Sequence, residues 1–278
     1  MLEHKSDVLN VALIQMQSGA DVKENYIQAL HFLEQAKNAC RPELVIFPEN
    51  FLCLGSKHYF DQIPEISEYS KKLIAWAKSH SIALVLGSVP AFSYEPDKCL
   101  SRSTLVSNQG ECLADYDKVH LFDVSVDDET KVYRESDHFS PGSQFKVMDV
   151  SGHKLGLSIC YDLRFPELYQ AMFKAGAEMF SVPSAFTYKT GEAHWEILLR
   201  ARAIETQSFV LAANQCGTHQ LAHKNETRHT WGHSMIIDPW GEILCELGSQ
   251  PGVACAKLDF GRLQQVRQSM NLLAHKHF

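Results

Sequence analysis

Two charged side chains stand where apolar segments end, at positions that favour acid–base and oxyanion chemistry. Glu49 follows the apolar run 43–47 and Pro48. At the carboxyl end of a strand, where open α/β sheets place their sites, a carboxylate is partly desolvated and suited to act as a base. Lys118 follows a second predicted strand, over 111–116, and a lysine there can stabilise an oxyanion. Taken singly, a solvated loop glutamate and a surface lysine explain these two residues as well.

Cys160 lies at an elbow between a strand predicted over 154–160 and a helix that begins at Pro166. This arrangement resembles the nucleophile elbow of hydrolases, in which the side chain is exposed at the top of a sheet and the following backbone N–H groups face a developing oxyanion. A nearby helix start is also expected to lower the pKa of the thiol. A buried, inert cysteine is the usual alternative, but the strand-end position argues against it. We therefore predict that Cys160 is a nucleophile.

The other seven cysteines have no such context, since none belongs to a C-x-x-C pair or to a regular spacing. Neither a disulfide framework nor a zinc ribbon is indicated, and free thiols suit a reducing cytoplasm. We predict core or surface thiols at Cys40, Cys53, Cys99, Cys112, Cys216, Cys245 and Cys255.

The composition is that of a soluble globular chain: 278 residues, 45% apolar and 21% charged, enough for a sizeable core. A net charge of −7 gives no electrostatic reason to expect nucleic acid or an anionic membrane as a partner. Residues 1–10 lack the basic and apolar regions of a signal peptide. The longest apolar run, 82–92, is broken by Gly87 and Pro90 and is too short to span a bilayer.

Strands and helices alternate along the chain, which favours an α/β sheet. Helices are predicted over 22–39, 66–80, 166–176, 192–207 and 262–270. Strands are predicted over 8–16, 43–47, 82–86, 103–107, 111–116, 145–150, 154–160, 178–182, 209–213, 234–237, 243–247 and 253–258. A turn at 108–110 indicates a hairpin and therefore a mixed sheet. The polar stretch 123–141 is predicted to be a long ordered loop, a kind of segment that is often functional.

Three motifs together resemble those of the nitrilase superfamily of carbon–nitrogen hydrolases. They contain the three residues above, as Phe-Pro-Glu-Asn-Phe at 47–51, Tyr-Asp-Lys-Val-His-Leu at 116–121 and Gly-Leu-Ser-Ile-Cys-Tyr-Asp-Leu-Arg-Phe-Pro-Glu at 156–167. Further matches at 183–186, 190–205 and 231–241 extend the resemblance over practically the whole chain. The resemblance implies an α/β fold in a single domain over 1–278, a four-layer αββα sandwich with mixed sheets.

The resemblance also implies a role for each catalytic residue. Cys160 would be the nucleophile, Glu49 the general base and Lys118 the cation that stabilises the tetrahedral intermediate. Glu135, inside the polar stretch, would be a second catalytic glutamate. The thiolate would attack an amide carbonyl, the amine would leave, and water activated by Glu49 would hydrolyse the thioester. Lys118 and the backbone N–H of Tyr161 would hold the oxyanion.

Within the superfamily, the segment 212–219 resembles the deaminated glutathione amidase branch more than the ω-amidase branch. Both branches use the amide of a 2-oxo dicarboxylic acid; the first releases cysteinylglycine and the second releases ammonia. Arg164 is placed to bind the substrate carboxylate bidentately, with Thr190 as a second candidate. Tyr161 and His194 are further predicted substrate contacts. Glu192 stands where these relatives commonly have proline, which affects the expected shape of the local loop.

Alternative sites and functions remain open at this stage. One is a metal site on histidines spaced i, i+4, although they fall in a polar segment with no evident helix: His219, His223, His229 and His233. Another is a papain-type dyad of Cys160 with His194. Activity on 2-oxoglutaramate, on nitriles or on carbamoyl groups is a third, and a nitrilase-like fold kept as an interaction module is the non-enzymatic alternative.

The resemblance thus implies a cysteine-dependent amidase. Its expected substrate is a small 2-oxo dicarboxylic acid amide, deaminated glutathione above all. No metal or organic cofactor is expected, nor a nucleic-acid or membrane partner. The resemblance further implies a cytoplasmic homodimer or larger homo-oligomer, assembled through the C-terminal region.

Overall fold

The computed structural model describes residues 7–56, 58–126, 128, 132–221 and 227–277, which form two large sheets flanked by helices. The strands are β1 (Val8–Gln15), β2 (Leu44–Ile46), β3 (Ala83–Val85), β4 (Val89–Phe92), β5 (Cys99–Val106), β6 (Cys112–Asp117), β7 (Asp123–Ser125), β8 (Val132–Arg134), β9 (Lys146–Val150), β10 (His153–Leu157), β11 (Met179–Ser181), β12 (Phe209–Ala212), β13 (Cys216–Gln220), β14 (Thr227–Trp231), β15 (Met235–Ile237), β16 (Ile243–Glu246) and β17 (Gly252–Asp259). The α-helices are α1 (Val22–Cys40), α2 (Tyr59–His80), α3 (Pro166–Lys174), α4 (Tyr188–Thr206), α5 (Phe260–Ser269) and α6 (Leu272–His275). Two 3-10 helices cover Glu135–Asp137 and Cys160–Arg164.

Both large sheets are mixed, as predicted. The first has the strand order β17-β1-β2-β3-β5-β4, with β6 paired to β5. The second has the order β16-β15-β12-β11-β10-β9. In the first sheet β1, β2 and β3 are parallel, and in the second β10, β11 and β12 are parallel. Parallel strands bring their carboxyl ends to one edge of a sheet, which is the edge where α/β folds build sites.

The residues of β1 alternate between two cores. Val11 and Leu13 belong to the core that the first sheet shares with the second, whereas Ala12 and Ile14 belong to the core beneath α1 and α2. On the second sheet, α3 packs against β10, and α4 against β12 and β15. Because central strands bury both faces, they are continuous apolar runs in the sequence. This layering is the predicted αββα sandwich.

Several segments differ from the sequence prediction, which lacks β4 and α6 altogether. Helix α2 begins at Tyr59 and includes Pro64, whereas the predicted helix begins only after that proline. The polar stretch 123–141 contains the hairpin β7–β8 and a 3-10 helix rather than only a loop. The histidine-rich segment contains the hairpin β13–β14. Short polar strands such as these give a weak hydrophobic period, so tertiary contacts decide their structure.

The structure also corrects the prediction that seven cysteines are free thiols. Cys40, at the end of α1, and Cys255, in β17, form a disulfide. The pair lies far apart in the sequence, but α1 packs against β17 and brings the two side chains together. The other five of the seven are free, as predicted. Among the described helices, none has the length and apolar character needed to cross a membrane.

Candidate active site

Glu49, Lys118 and Cys160 meet at the carboxyl ends of strands from both sheets. Glu49 follows β2 and Lys118 follows β6 in the first sheet, while Cys160 follows β10 in the second. The Nζ atom of Lys118 lies 2.8 Å from Oε1 of Glu49. All three side chains are buried. The structure therefore brings the three predicted residues into one site shielded from bulk water.

Glu135 joins this group from the stretch between β6 and β9. The Lys118 ammonium donates to both carboxylate oxygens of Glu135, at 2.9 Å each. The backbone N–H of Phe122 donates to Oε2 of Glu135 at 2.6 Å. Glu135 begins a 3-10 helix directly after β8, so the β7–β8 hairpin places the second carboxylate beside Lys118.

The pKa shifts in this group follow from burial and charge. Burial lowers the pKa of Lys118, but the charges of Glu135 and Glu49 outweigh it and hold that pKa well above its usual value. Burial raises the pKa of Glu135, and the Lys118 charge opposes this shift. Lys118 is therefore protonated at neutral pH, and it places a fixed positive charge near Cys160.

Cys160 occupies a strained backbone conformation. Its φ of 48° is in the left-handed region, which costs a residue with a side chain about 1–2 kcal/mol. The backbone N–H of Cys160 donates to the carbonyl of Pro183 at 2.8 Å, which holds the turn between β10 and the following 3-10 helix. The elbow expected from the sequence is thus present, with the thiol at its tip.

The pKa of the Cys160 thiol is higher than the sequence led us to expect. Burial raises its pKa, and the negative charge of Glu49 raises it further, whereas Lys118 lowers it. The expectation of a lowered thiol pKa is therefore wrong, because desolvation and the adjacent carboxylate outweigh the short helical turn. A neutral thiol needs a base to become a nucleophile, and Glu49 is the adjacent carboxylate.

Asp162 is a structural part of this site that was not singled out from the sequence. Its fully buried carboxylate accepts from the Ile159 N–H at 2.9 Å, the Tyr116 hydroxyl at 2.6 Å and the His120 N–H at 3.0 Å. These bonds fasten the strand end that carries Lys118 to the elbow that carries the thiol. The signal was available, since Tyr116, His120 and Asp162 all belong to the two motifs quoted above.

The catalytic group opens into a cavity of about 450 Å³, a volume typical of small-molecule sites. Of the predicted substrate contacts, Tyr161, Arg164 and Thr190 line it. Further lining residues were not singled out from the sequence, because they lie on loops, on hairpins and at the start of α2, which only the fold brings together: Asn50, Tyr59, Phe122, Tyr133, Phe186 and Arg228.

Arg164 projects from the elbow helix beside Phe186. Its guanidinium carbon lies 5.6 Å from the centre of the Phe186 ring, and its Nη2 lies 3.2 Å from Nδ1 of His194. His194 is exposed and contacts Arg164; it is not among the described residues that line the cavity. Within the described part of the chain, no hydrogen bond joins His194 to Cys160 as a papain-type dyad requires. Thr190 bonds to the hydroxyl of Thr187 at 2.8 Å.

The histidines proposed as metal ligands have other partners. His219, in β13, places one ring nitrogen 2.7 Å from the carbonyl of Ser18 and the other 2.7 Å from the hydroxyl of Thr230. His229 contacts Thr218, and His233 contacts Glu246. His223 lies outside the described residues. Over the ranges that the structure describes, no group of three or more His, Cys, Asp or Glu side chains could hold a metal ion.

Comparison with known proteins gives matches over nearly the whole chain. The family model described as "Carbon-nitrogen hydrolase" matches residues 10–268. The deaminated glutathione amidase of Yersinia enterocolitica is 41% identical over 277 residues, which are 97% of this chain and 93% of that protein. The deaminated glutathione amidase of Mus musculus is 36% identical over 279 residues, covering 96% of this chain and 82% of the mouse protein.

Solved structures of related proteins also match nearly the whole chain. Saccharomyces cerevisiae Nit3, described as a member of branch 10 of the nitrilase superfamily, has a TM-score of 0.84 at 31% identity, with 98% of both chains covered. The Caenorhabditis elegans NitFhit protein has a TM-score of 0.88 at 33% identity, covering 99% of this chain and 66% of that one.

Proposed function

This chain belongs to the carbon–nitrogen hydrolase family and is an amidase, and we propose that it cleaves its amide through a thioester on Cys160. One observation carries this proposal: a buried thiol, Glu49, Lys118 and Glu135 share a single site in which Lys118 bonds to both carboxylates. A base, a nucleophile and a fixed cation are what acyl transfer to a cysteine requires.

The reaction begins at the thiol. Glu49 takes the proton from Sγ of Cys160 as sulfur attacks the amide carbonyl carbon, and the carbonyl π electrons move to oxygen. The resulting oxyanion receives stabilisation from the Lys118 ammonium and from the backbone N–H of Tyr161. When the tetrahedral intermediate collapses, the carbon–nitrogen bond breaks and Glu49 returns its proton to the leaving amine.

Hydrolysis of the thioester repeats these steps with water. Glu49 removes a proton from water as the oxygen attacks the thioester carbonyl, and a second oxyanion forms in the same place. Collapse breaks the carbon–sulfur bond, and the sulfur regains the proton held by Glu49. The carboxylic acid product then leaves. Glu135 stays beside Lys118 throughout and keeps the ammonium charged and positioned.

We propose a 2-oxo dicarboxylic acid amide as the substrate class, with deaminated glutathione as its main member. The bacterial and mouse relatives bear that name. Arg164 lines the cavity four residues after the nucleophile, where a guanidinium can bind the substrate carboxylate with two parallel hydrogen bonds. Thr190 lines the same cavity and offers a hydroxyl. An ω-amidase that releases ammonia from 2-oxoglutaramate is the alternative.

The decisive variant is Cys160→Ala. We expect it to lower the turnover number for deaminated glutathione by about 10⁴-fold or more, because the variant lacks the sulfur on which the acyl intermediate forms. Binding of the substrate to the variant, measured by calorimetry, should persist. Cys245→Ala is the matched control, since Cys245 is also a free cysteine but lies in β16. Wild-type turnover in Cys160→Ala would contradict the mechanism.

Mass spectrometry of the products distinguishes the substrates. The wild-type protein is incubated separately with deaminated glutathione, 2-oxoglutaramate and simple nitriles. Release of cysteinylglycine at the highest kcat/KM supports the proposal, while preferential release of ammonia from 2-oxoglutaramate supports the ω-amidase alternative. Turnover of nitriles alone would overturn both.

We further propose that the enzyme acts in the cytoplasm as a homodimer or larger homo-oligomer, without a metal or organic cofactor. The location, the assembly and the lack of a cofactor are proposed from the family resemblance. Analytical ultracentrifugation tests the assembly, since a monomer at micromolar concentration contradicts it. Activity lost with EDTA and restored by zinc would contradict the cofactor-free mechanism.

A further inference from the structure

Arg228 is a second cation in the cavity whose charge the catalytic mechanism does not use. It lies in β14, is half-buried, and lines the same cavity as Cys160 and Arg164. We propose that Arg228 binds a carboxylate on the leaving amine of the substrate, which makes it a specificity residue for amides whose amine part is a short peptide. This inference rests on the proposed function and deepens it.

The contacts of Arg228 fix its guanidinium, and in the described ranges none of them is with an acidic group. Its Nη2 donates to the carbonyl of Ala185, and its guanidinium carbon lies 5.6 Å from the centre of the Tyr133 ring. Its Nε is buried without a hydrogen-bond partner. Among the residues that the structure describes, no carboxylate lies within ion-pair distance of Arg228. An immobilised cation with no acidic partner, facing a cavity, is suited to an anionic ligand.

Within the same described ranges Arg164 also has no acidic partner, and it lies on a different element. It is held by the rings of Tyr161 and Phe186 and by His194, none of which is acidic. Lys118, by contrast, is ion-paired with two glutamates beside the nucleophile, where the mechanism uses it for the oxyanion rather than for a substrate carboxylate. Arg134 lines the cavity but is exposed, where solvent screens its charge.

Two arginines without an acidic partner in the described ranges match a substrate that carries two carboxylates. The Ala185 backbone carbonyl contacts Arg228 while the next side chain, Phe186, contacts Arg164, so the guanidinium groups flank this short segment. In a peptide amide of a 2-oxo dicarboxylic acid, one carboxylate belongs to the acyl part and the other ends the leaving peptide. An amide that releases ammonia has no second carboxylate. The pair of arginines therefore favours peptide release over ammonia release.

The test compares two substrates in one enzyme. Deaminated glutathione carries the second carboxylate, and 2-oxoglutaramate lacks it. We expect Arg228→Gln to lower the ratio of their kcat/KM values by about 10-fold or more, mainly through a higher KM for deaminated glutathione, as loss of a charge-assisted hydrogen bond predicts. Arg228→Lys should recover part of this loss. Arg200→Gln, which removes an equal charge from the exposed surface of α4 away from the cavity lining, should keep the wild-type ratio.

A modified substrate gives a readout that does not depend on the folding of a variant. Deaminated glutathione with its terminal carboxylate converted to a carboxamide should have a kcat/KM about 10-fold lower in the wild-type enzyme. In Arg228→Gln the acid and the carboxamide should react alike, because the group that distinguishes them is gone.

The outcomes separate this inference from the proposed function. Equal decreases of kcat/KM for both substrates in Arg228→Gln would overturn the carboxylate-binding role of Arg228 and assign it a positioning role through Ala185. An unchanged ratio, or a wild-type enzyme indifferent to the carboxamide, would overturn it as well. Wild-type turnover of neither acid substrate would instead overturn the proposed substrate class, and the inference with it.

Discussion

Lys118 shows how three charges in a buried site control one another. An isolated ammonium loses stability when it is desolvated, but here Glu135 and Glu49 hold it charged. Glu135 does not need to touch the substrate for this effect. Its two hydrogen bonds to Nζ also fix the position of the ammonium relative to the thiol.

Replacement of Glu135 by glutamine should therefore weaken catalysis without removing any reacting group. Glutamine can still accept a hydrogen bond, but it cannot balance the ammonium charge, so the pKa of Lys118 falls. We expect kcat/KM to decrease by about 10²–10³-fold. The alkaline limb of the pH–rate profile should also move to lower pH, because Lys118 then loses its proton earlier. Steady-state kinetics between pH 6 and 10 measure both effects.

Asp137→Asn is the control for this variant. Asp137 belongs to the same 3-10 helix but is exposed. Its replacement should leave the alkaline limb where it is in the wild-type enzyme. A reduced rate in Glu135→Gln with an unshifted alkaline limb would show that Glu135 acts by geometry alone.

At the scale of elements, two glycines let separate backbones approach the catalytic strand ends. A Cβ atom at Gly87 would lie 1.9 Å from the carbonyl oxygen of Pro48, directly before Glu49. A Cβ atom at Gly142 would lie 2.1 Å from the carbonyl oxygen of Asp117, directly before Lys118. In both cases the obstacle is backbone, which cannot rotate aside. Because Gly87 and Gly142 have no side chain, the backbone segments that carry Glu49 and Lys118 can take these positions.

Gly87→Ala should affect stability and catalysis together. The methyl group must displace the segment 47–49, and we expect the free energy of unfolding to fall by about 1–3 kcal/mol. Since Glu49 moves with this segment, kcat should fall by about 10-fold or more. Urea denaturation and steady-state kinetics on the same preparation measure the two effects. Gly19→Ala is the matched control, because a Cβ at Gly19 meets no atom within 4 Å. Wild-type kcat in Gly87→Ala would contradict this account of how Glu49 is placed.

The sequence predicted the buried strands better than the partly exposed ones, for a physical reason. Strands such as β1 and β12 bury both faces, so their apolar runs are unambiguous. The hairpins β7–β8 and β13–β14 have exposed or half-buried positions and no such run. Glu135 and Arg228 are positioned by these hairpins. For that reason only the motif resemblance indicated Glu135, and no sequence signal indicated Arg228.

At the scale of the whole molecule, the site depends on contacts between distant parts of the chain. The strands β1 and β17 pair along their full length, although they come from opposite ends of the sequence. The Cys40–Cys255 disulfide joins the same two regions. Neither pairing leaves a local pattern, so the sequence could predict the strands but not their partners. Glu49, Lys118 and Cys160 were singled out because each stands at a strand end, a property that is local.

His219 is another long-range contact, and it makes global stability sensitive to acid. Its ring links the hairpin β13–β14 to Ser18, which follows β1. Burial lowers the pKa of His219 to about 4, whereas in the unfolded chain the pKa has its ordinary value near 6.5. Between these values the unfolded chain binds a proton that the folded protein does not. The contribution of His219 is therefore complete above about pH 6.5 and decreases as the pH falls toward 4, by about 1.4 kcal/mol per pH unit.

His219→Gln should accordingly be less stable than the wild-type protein at pH 7 but less sensitive to acid. Loss of the two buried hydrogen bonds is expected to cost about 1–3 kcal/mol at pH 7. From pH 6.5 to 4.5 the free energy of unfolding of the wild-type protein should fall more steeply than that of the variant, by about 1 kcal/mol per pH unit. Urea denaturation at several pH values measures the difference between the two slopes. His31→Gln, at an exposed position on α1, should keep the wild-type slope. Identical slopes in the wild-type protein and His219→Gln would mean that the buried imidazole does not link acid to global unfolding.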